Sequence, residues 1–391
     1  MPKASTLTLI PSSSNGTIIE VITVGIWGAR AGSGEELGPS RATPPATCYH
    51  SYPSRMRLRR RIPAFVGVLL FLAAIAIIVL LRKHAPPEPA RLLPGADGFL
   101  YVNLQWMRRT DVGSHPSPIQ HDPEYERFIQ ETGFDFERDL AQAAIAIHYA
   151  SLATQQETRY SEVIVAHLDG EKLRAYLKKV ASSVEDFEHV EIYSIPVEGH
   201  TFRIAILGVA VCTPHLCTMV AGSNHPDPEV IQGMIHRSHK MASPFGGPAL
   251  LRQFYKQVPQ LPLPSLGWAI FKINSSTPAL TTPLAFPGPA TIVASVQYLG
   301  DVHFRAEAFT KNDAAAQQLS LQANTFLKIF ESAEISVSGQ QPDPDFDKTM
   351  KSVQVTQKKY RVVLTAKIPS DLVRKVVSEA PLGLTPSGSG K

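Results

Sequence analysis

The chain has 391 residues, 44% hydrophobic and 18% charged, with a formal net charge of +4, which is enough material for a sizeable core or for two domains. Residues 1–63 hold eight Lys/Arg against three Asp/Glu, Arg82 and Lys83 add two positive charges, and residues 84–391 hold 28 Lys/Arg against 31 Asp/Glu. The part able to fold is therefore slightly acidic, which excludes the clustered basic surface that nucleic-acid binding requires.

Residues 1–55 mix Ser, Gly, Thr and Pro without sustained periodicity and read as disordered. Met56 opens RLRRRIPAFVGVLL, a well-formed start for a signal-anchor protein. Translation is therefore expected to begin at Met56, the other reading being a disordered cytoplasmic tail. Residues 56–61 form a basic flank. Ala64–Leu81 is a run of eighteen residues without a charge, about 27 Å as a helix, and with its neighbours it predicts a transmembrane helix over residues 62–83. Pro63 suits the first turn, where its missing N–H goes unneeded. Arg55, Arg57, Arg59, Arg60 and Arg61 precede the run and only Arg82 and Lys83 follow closely. The positive-inside rule then places the N-terminus in the cytoplasm and all that follows His84 outside. A cleaved signal peptide is the rival reading, but the run exceeds the usual ~7–15 residues and Lys83-His84-Ala85 lacks a small-x-small site.

Residues 84–97 are Pro-rich and read as an extended linker. Strands are predicted at Phe99–Leu104, Ala143–Tyr149 and Glu162–Leu168 by alternation, with an amphipathic helix near Pro123–Thr132 between the first two. Leu173, Tyr176, Leu177 and Val180 place a helix over Glu171–Val180 capped by Asp169. Glu188–Ile195 with Thr201–Leu207, and Val209–Cys212 with Cys217–Ala221, read as hairpins. Asp227-Pro228-Glu229 opens a helix, and another is expected across Ala249–Val258.

After Pro259–Pro264 the pattern restarts. Gly267–Ile273 (GWAIFKI) parallels Gly98–Leu104 (GFLYVNL), and Ile292–Tyr298 parallels Ala143–Tyr149. Val302–Phe309 alternates, with His303, Arg305 and Glu307 on one face. A helix is predicted over Asp313–Phe330, then strands at Ser352–Thr356 and Arg361–Lys367 and a helix at Ser370–Glu379. The fold class is α+β: antiparallel sheets packed on helices, in two related strand-strand-strand-helix units at 98–258 and 259–380. Residues 381–391 read as a disordered tail.

The anchor, Leu93-Pro94 before the first strand, TGFD at Thr132–Asp135 with Asp139-Leu140, and the repeated units give the chain a resemblance to single-pass bacterial envelope proteins of unknown function. That resemblance implies a membrane-tethered domain outside the cytoplasm, at the inner (plasma) membrane, and carries no catalytic residues across.

Cys212 and Cys217 flank a four-residue loop and form a candidate disulfide if the compartment is oxidising. Free thiols, or a metal or redox role with His215, are the alternatives. His236 and His239 stand three apart near a helix end with His225 before them, but no third ligand lies at a suitable local spacing, and a solvated helix end is the reading kept. Asp343, Asp345 and Asp347 open a calcium-loop pattern that fails at Lys348 and Gln354, leaving an acidic turn. No G-x-S-x-G or H-E-x-x-H occurs. No cofactor, metal or catalytic residue is expected.

The expected function is a non-enzymatic binding or assembly module of the cell envelope, with the membrane and an unknown envelope protein or small ligand as partners. The alternatives are a tethered hydrolase or transferase with a dispersed site, or a lipid or small-ligand carrier. Converging polar groups in a pocket would favour the enzyme, and a wholly apolar cavity the carrier. Intact-mass measurement of the membrane-extracted protein is expected to return a chain retaining residues 62–83; a mass lacking them overturns the anchor.

Overall fold

Alternation of apolar and polar residues produces strands, and here twelve of them pair into one antiparallel sheet. A computed structural model describes residues 70–73, 85–109, 123–149, 157–197, 199–212, 216–240, 246–260, 263–273, 286, 288–338 and 344–379. All of these fall in one compact unit, Ala64–Lys391. The predicted span lies outside the described residues apart from Leu70–Ala73, which are helical. No described helix is long and apolar enough to cross a membrane. Arg55, Arg57, Arg59, Arg60 and Arg61 also lie outside them.

The strands are β1 (Gly98–Asn103), β2 (Leu140–His148), β3 (Arg159–Ala166), β4 (Ser183–Phe187), β5 (Val190–Val197), β6 (His200–Val211), β7 (Leu216–Ser223), β8 (Gly267–Ile273), β9 (Ala290–Tyr298), β10 (Val302–Thr310), β11 (Gln354–Lys358) and β12 (Arg361–Ile368). Their order across the sheet is β11-β12-β10-β9-β8-β1-β2-β3-β7-β6-β5-β4. The helices are α1 (Glu88–Leu92), α2 (Leu104–Arg108), α3 (Pro123–Thr132), α4 (Phe136–Asp139), α5 (Gly170–Val180), α6 (Glu229–His239), α7 (Ala249–Phe254), α8 (Asp313–Ser338), α9 (Pro344–Ser352) and α10 (Ser370–Glu379). The α+β class and its antiparallel sheet are thus present. The break at Pro259 does not divide the sheet, because β8 pairs directly with β1.

Directly opposed residues share a face. One face presents Phe99 and Tyr101 of β1, Ala144 and Ala146 of β2, Trp268 and Ile270 of β8, and Val293 of β9, all buried. Helices cover it through Ala90, Leu92 and Leu93 at α1, Met234 of α6 and Leu251 of α7. This corrects the linker reading of residues 84–97. Pro89 occupies the first turn of α1, where no N–H bond is lost, and the apolar residues after it enter the core.

Among the described residues, the other face is covered at its flanks. Leu173 and Leu177 of α5, with Phe128 of α3, pack on Val220, Tyr193 and Ile164. At the far end Ala316 and Leu319 of α8 pack on Val362 and Ala308. The Asp169 carboxylate caps α5 by accepting the Glu171 and Lys172 N–H groups (2.9 and 3.3 Å).

Three further differences have physical causes. β4 was not predicted, because Ser-Val-Glu-Asp-Phe is mostly exposed and shows no apolar alternation. Thr201–Leu207 and the Val209–Val211 part of Val209–Cys212 belong to one strand, β6, interrupted by a register shift where Gly208 takes φ +124°. Glu307 on the charged face of β10 is buried, accepting hydrogen bonds from Arg305 Nε (2.9 Å) and Arg361 Nη1 (3.3 Å).

Gly267 opposes Val102 at the centre of the sheet, and a Cβ there would lie 3.1 Å from the Tyr101 carbonyl oxygen. Gly267→Val is expected to destabilise the protein by about 1–3 kcal/mol through overpacking, measured by chemical denaturation.

Candidate functional site

Between the two helix-covered flanks, no described helix lies over the centre of the second face. Leu100 and Val102 of β1, Ala269 of β8, Ala294 and Val296 of β9 and Phe304 of β10 line a groove of about 360 Å³, closed laterally by Met107 of α2 and Val373 of α10. Small residues occupy its floor: Gly267, Ala269 and Ala294 stand where larger side chains would fill the space. The surface it exposes is apolar, and among the described residues no carboxylate, amine, imidazole or thiol lines it. Tyr101 and Trp268 sit beneath it with their polar atoms turned to the helix-covered side, where the Tyr101 hydroxyl donates to Gln142 Oε1 (3.1 Å). Burial pushes the Tyr101 phenol well above its ordinary pKa, so it stays protonated. The sequence reading contained each of its strands but not the groove itself, whose walls come from four strands and two helices.

A second hollow, about 410 Å³, is polar and lined by Arg174, Lys178, Asp186, Glu191 and Tyr193 among others. Its charges neutralise one another: Glu191 pairs with Lys178 Nζ (2.7 Å) and Arg174 Nε (3.5 Å) and accepts from the Tyr193 hydroxyl. The Lys178 contact, then that of Tyr193, holds the Glu191 carboxyl below its ordinary pKa. Such an ion-paired carboxylate is poorly suited to acid–base chemistry near neutrality.

Cys212 and Cys217 are joined in a disulfide (S–S 2.02 Å) between the end of β6 and β7. Both are buried in the main core, and Cys217 Sγ lies 3.5 Å from His167 Nδ1. His167 was not singled out in the sequence, since it sits 50 residues from Cys217. His215 falls outside the described residues. Asp345 and Asp347 occupy the first turn of α9, where they pair with Lys348 (2.8 Å) and Lys351 (2.6 Å), so the expected acidic turn is a helix start. Asp343 lies outside the described residues. His236 and His239 lie on the last turns of α6 beside the β4–β5 turn.

No protein-family model matches the chain, and no curated protein matches it. A solved structure of TP0453, in its crystal form IV, is similar over 75% of this chain and 97% of that one, at 11% identity and a TM-score of 0.36.

Glu162 of β3 lies on the groove's face of the sheet, and burial raises its carboxyl pKa above the ordinary 4.5. The folded value is raised, so the fold is unburdened below the unfolded pKa and loses stability as pH rises through the folded one. Glu162→Gln is therefore expected to raise Tm at pH 7 and to leave it unchanged at pH 4, read by thermal melts at both pH values.

Proposed function

We propose that this protein is a non-enzymatic binding module, tethered to the plasma membrane by residues 62–83 and facing outwards, whose central groove takes the hydrocarbon chain of a lipid. The wholly apolar lining carries this reading. A polypeptide strand laid there would leave backbone N–H and C=O groups without partners, at about 1–3 kcal/mol each. A hydrocarbon chain makes no such demand. The volume falls within the ~300–1,000 Å³ usual for small-ligand sites, and the apolar run Ala64–Leu81 would keep the domain beside a supply of lipid. The tethered hydrolase or transferase is disfavoured by the lack of an ionisable group in the groove.

We also infer that the two halves arose by duplication. Gly98↔Phe271 and Val102↔Gly267 exchange places if Gly98 is matched to Gly267 and Val102 to Phe271, leaving the β1–β8 register unchanged. Gly98 then pairs with Ile147 as Gly267 pairs with Val296. The strand orders β1-β2-β3-β7 and β8-β9-β10-β12 run outwards from that pair alike. The groove crosses this pseudo-twofold centre.

The test uses the full chain in vesicles containing a fatty acid with a photoreactive group on its chain. Labelling is expected at groove residues. Val296→Phe, which fills the cavity, and Ala294→Asp, which puts a charge in it, should each reduce labelling at least tenfold. Leu321→Asp, on an exposed face of α8, should not. Labelling unchanged by Val296→Phe in a folded protein overturns the proposal.

A further inference from the structure

We infer that a polar hollow over β9, β10 and β12 binds a phosphate group, either inorganic phosphate or a phosphomonoester. His303 and Arg305 stand two apart on β10 and so project from the same side of the sheet. Their direct partners on β12 are Lys367 and Thr365, and Gln354 of β11 lies opposite Thr365. These five side chains line a hollow of about 280 Å³, near the lower end of the ~300–1,000 Å³ usual for small-ligand sites. Among the described residues, no carboxylate lines it. Phe304, which alternates with His303 and Arg305, lines the apolar groove on the other face of the sheet. The inference therefore does not depend on the hydrocarbon reading of that groove.

Charge around the hollow is unbalanced. Arg305, Arg361 and Lys367 stand against two carboxylates, because both arginines share Glu307 and Lys367 Nζ pairs with Asp301 (2.9 Å). One positive charge is left over before His303 is counted, in a chain whose residues 84–391 hold more Asp/Glu than Lys/Arg. His303 and Lys367 are also directly opposed, which is unfavourable for like charges once the imidazole is protonated. An anion between them turns that repulsion into two attractions.

Hydrogen-bonding capacity is unbalanced in the same direction. Arg305 directs Nε and Nη2 to Glu307, which leaves Nη1 over, and Lys367 Nζ gives Asp301 one of its three N–H groups. The His303 imidazole, the Thr365 hydroxyl and the Gln354 amide have no hydrogen-bond partner among the described residues. Donors thus reach the hollow from three strands with no carboxylate facing them. A tetrahedral phosphate with three unesterified oxygens accepts from several directions at once, whereas a carboxylate offers two oxygens in one plane. The buried Glu307 also holds the Arg305 guanidinium in place before any ligand arrives.

Isothermal titration of the full chain with inorganic phosphate, in a detergent that carries none, should give saturable binding. Lys367→Gln and His303→Gln should each weaken affinity by about fivefold or more. Arg305→Lys keeps a cation for Glu307 but loses the fork, and should weaken it likewise. Lys358→Gln, which removes an exposed cation at the turn end of β11, should not. Glycerol phosphate and a short-chain phosphatidic acid, titrated in the same way, distinguish the source of the group. Tighter binding of the lipid, lost in the His303→Gln, Lys367→Gln double variant, assigns a lipid headgroup; equal or tighter binding of the water-soluble forms assigns one of those. Absence of saturable phosphate binding by the native chain overturns the proposal. So does native-like affinity in the double variant when its circular dichroism shows it folded.

Discussion

The antiparallel ladder between β1 and β8 joins segments from the two halves of the chain, and it converts what would be two exposed sheet edges into the middle of one sheet. Its helix-covered side is sealed by aromatic packing. Tyr101 stacks on Trp268 with ring centroids 5.5 Å apart, and Tyr255 meets Trp268 edge-on at 5.3 Å. Contacts of this kind contribute about 0.5–1.5 kcal/mol each beyond the area they bury. On the opposite side the same ladder sets Leu100 against Ala269 and Val102 against Gly267. One pairing therefore closes the core and, by placing small residues opposite medium ones, leaves a groove behind it.

The unequal covering of the two faces connects packing to function. α1, α6 and α7 cover one face, whereas α3, α5 and α8 reach only the flanks of the other. Apolar surface left in water forgoes about 25 cal/mol for every Å². An uncovered strip at the centre of a well-packed sheet is thus the part of the molecule with most to gain from an apolar ligand. Glu188, with His236 and His239, lies away from it, at the β4 edge, where charge and hydrogen bonding hold the three together. Glu307 is buried and held by Arg305 and Arg361. It is a pairing that satisfies a carboxylate taken out of water.

Much of the secondary structure was legible in the chain. Gly267–Ile273 and Ser370–Glu379 carry the predicted bounds, and Asp169 caps its helix as read. These succeeded because periodicity and capping are local properties. The failures were local too, but of opposite sign. The prolines of residues 84–97 masked a short core helix, the charges of β4 hid an edge strand, and Gly208 split β6 in the reading although the ladder continues past it. The sites were less legible than the elements. The sequence shows His236 and His239 as a pair but not the Glu188 carboxylate that bonds to both, 48 residues from His236.

By itself the sequence determined which segments alternate and which turn every 3.6 residues, how charge divides around Ala64–Leu81, and therefore an α+β chain behind an expected anchor. Those properties depend on neighbours along the chain. Only the tertiary structure decided that β8 lies beside β1, that described helices cover one face and, on the other, only its flanks, and that Glu188 meets two histidines of α6. The reason is that side chains compete for space and for hydrogen-bond partners across a fold, and alternation fixes the two sides of a strand without saying what will lie against either.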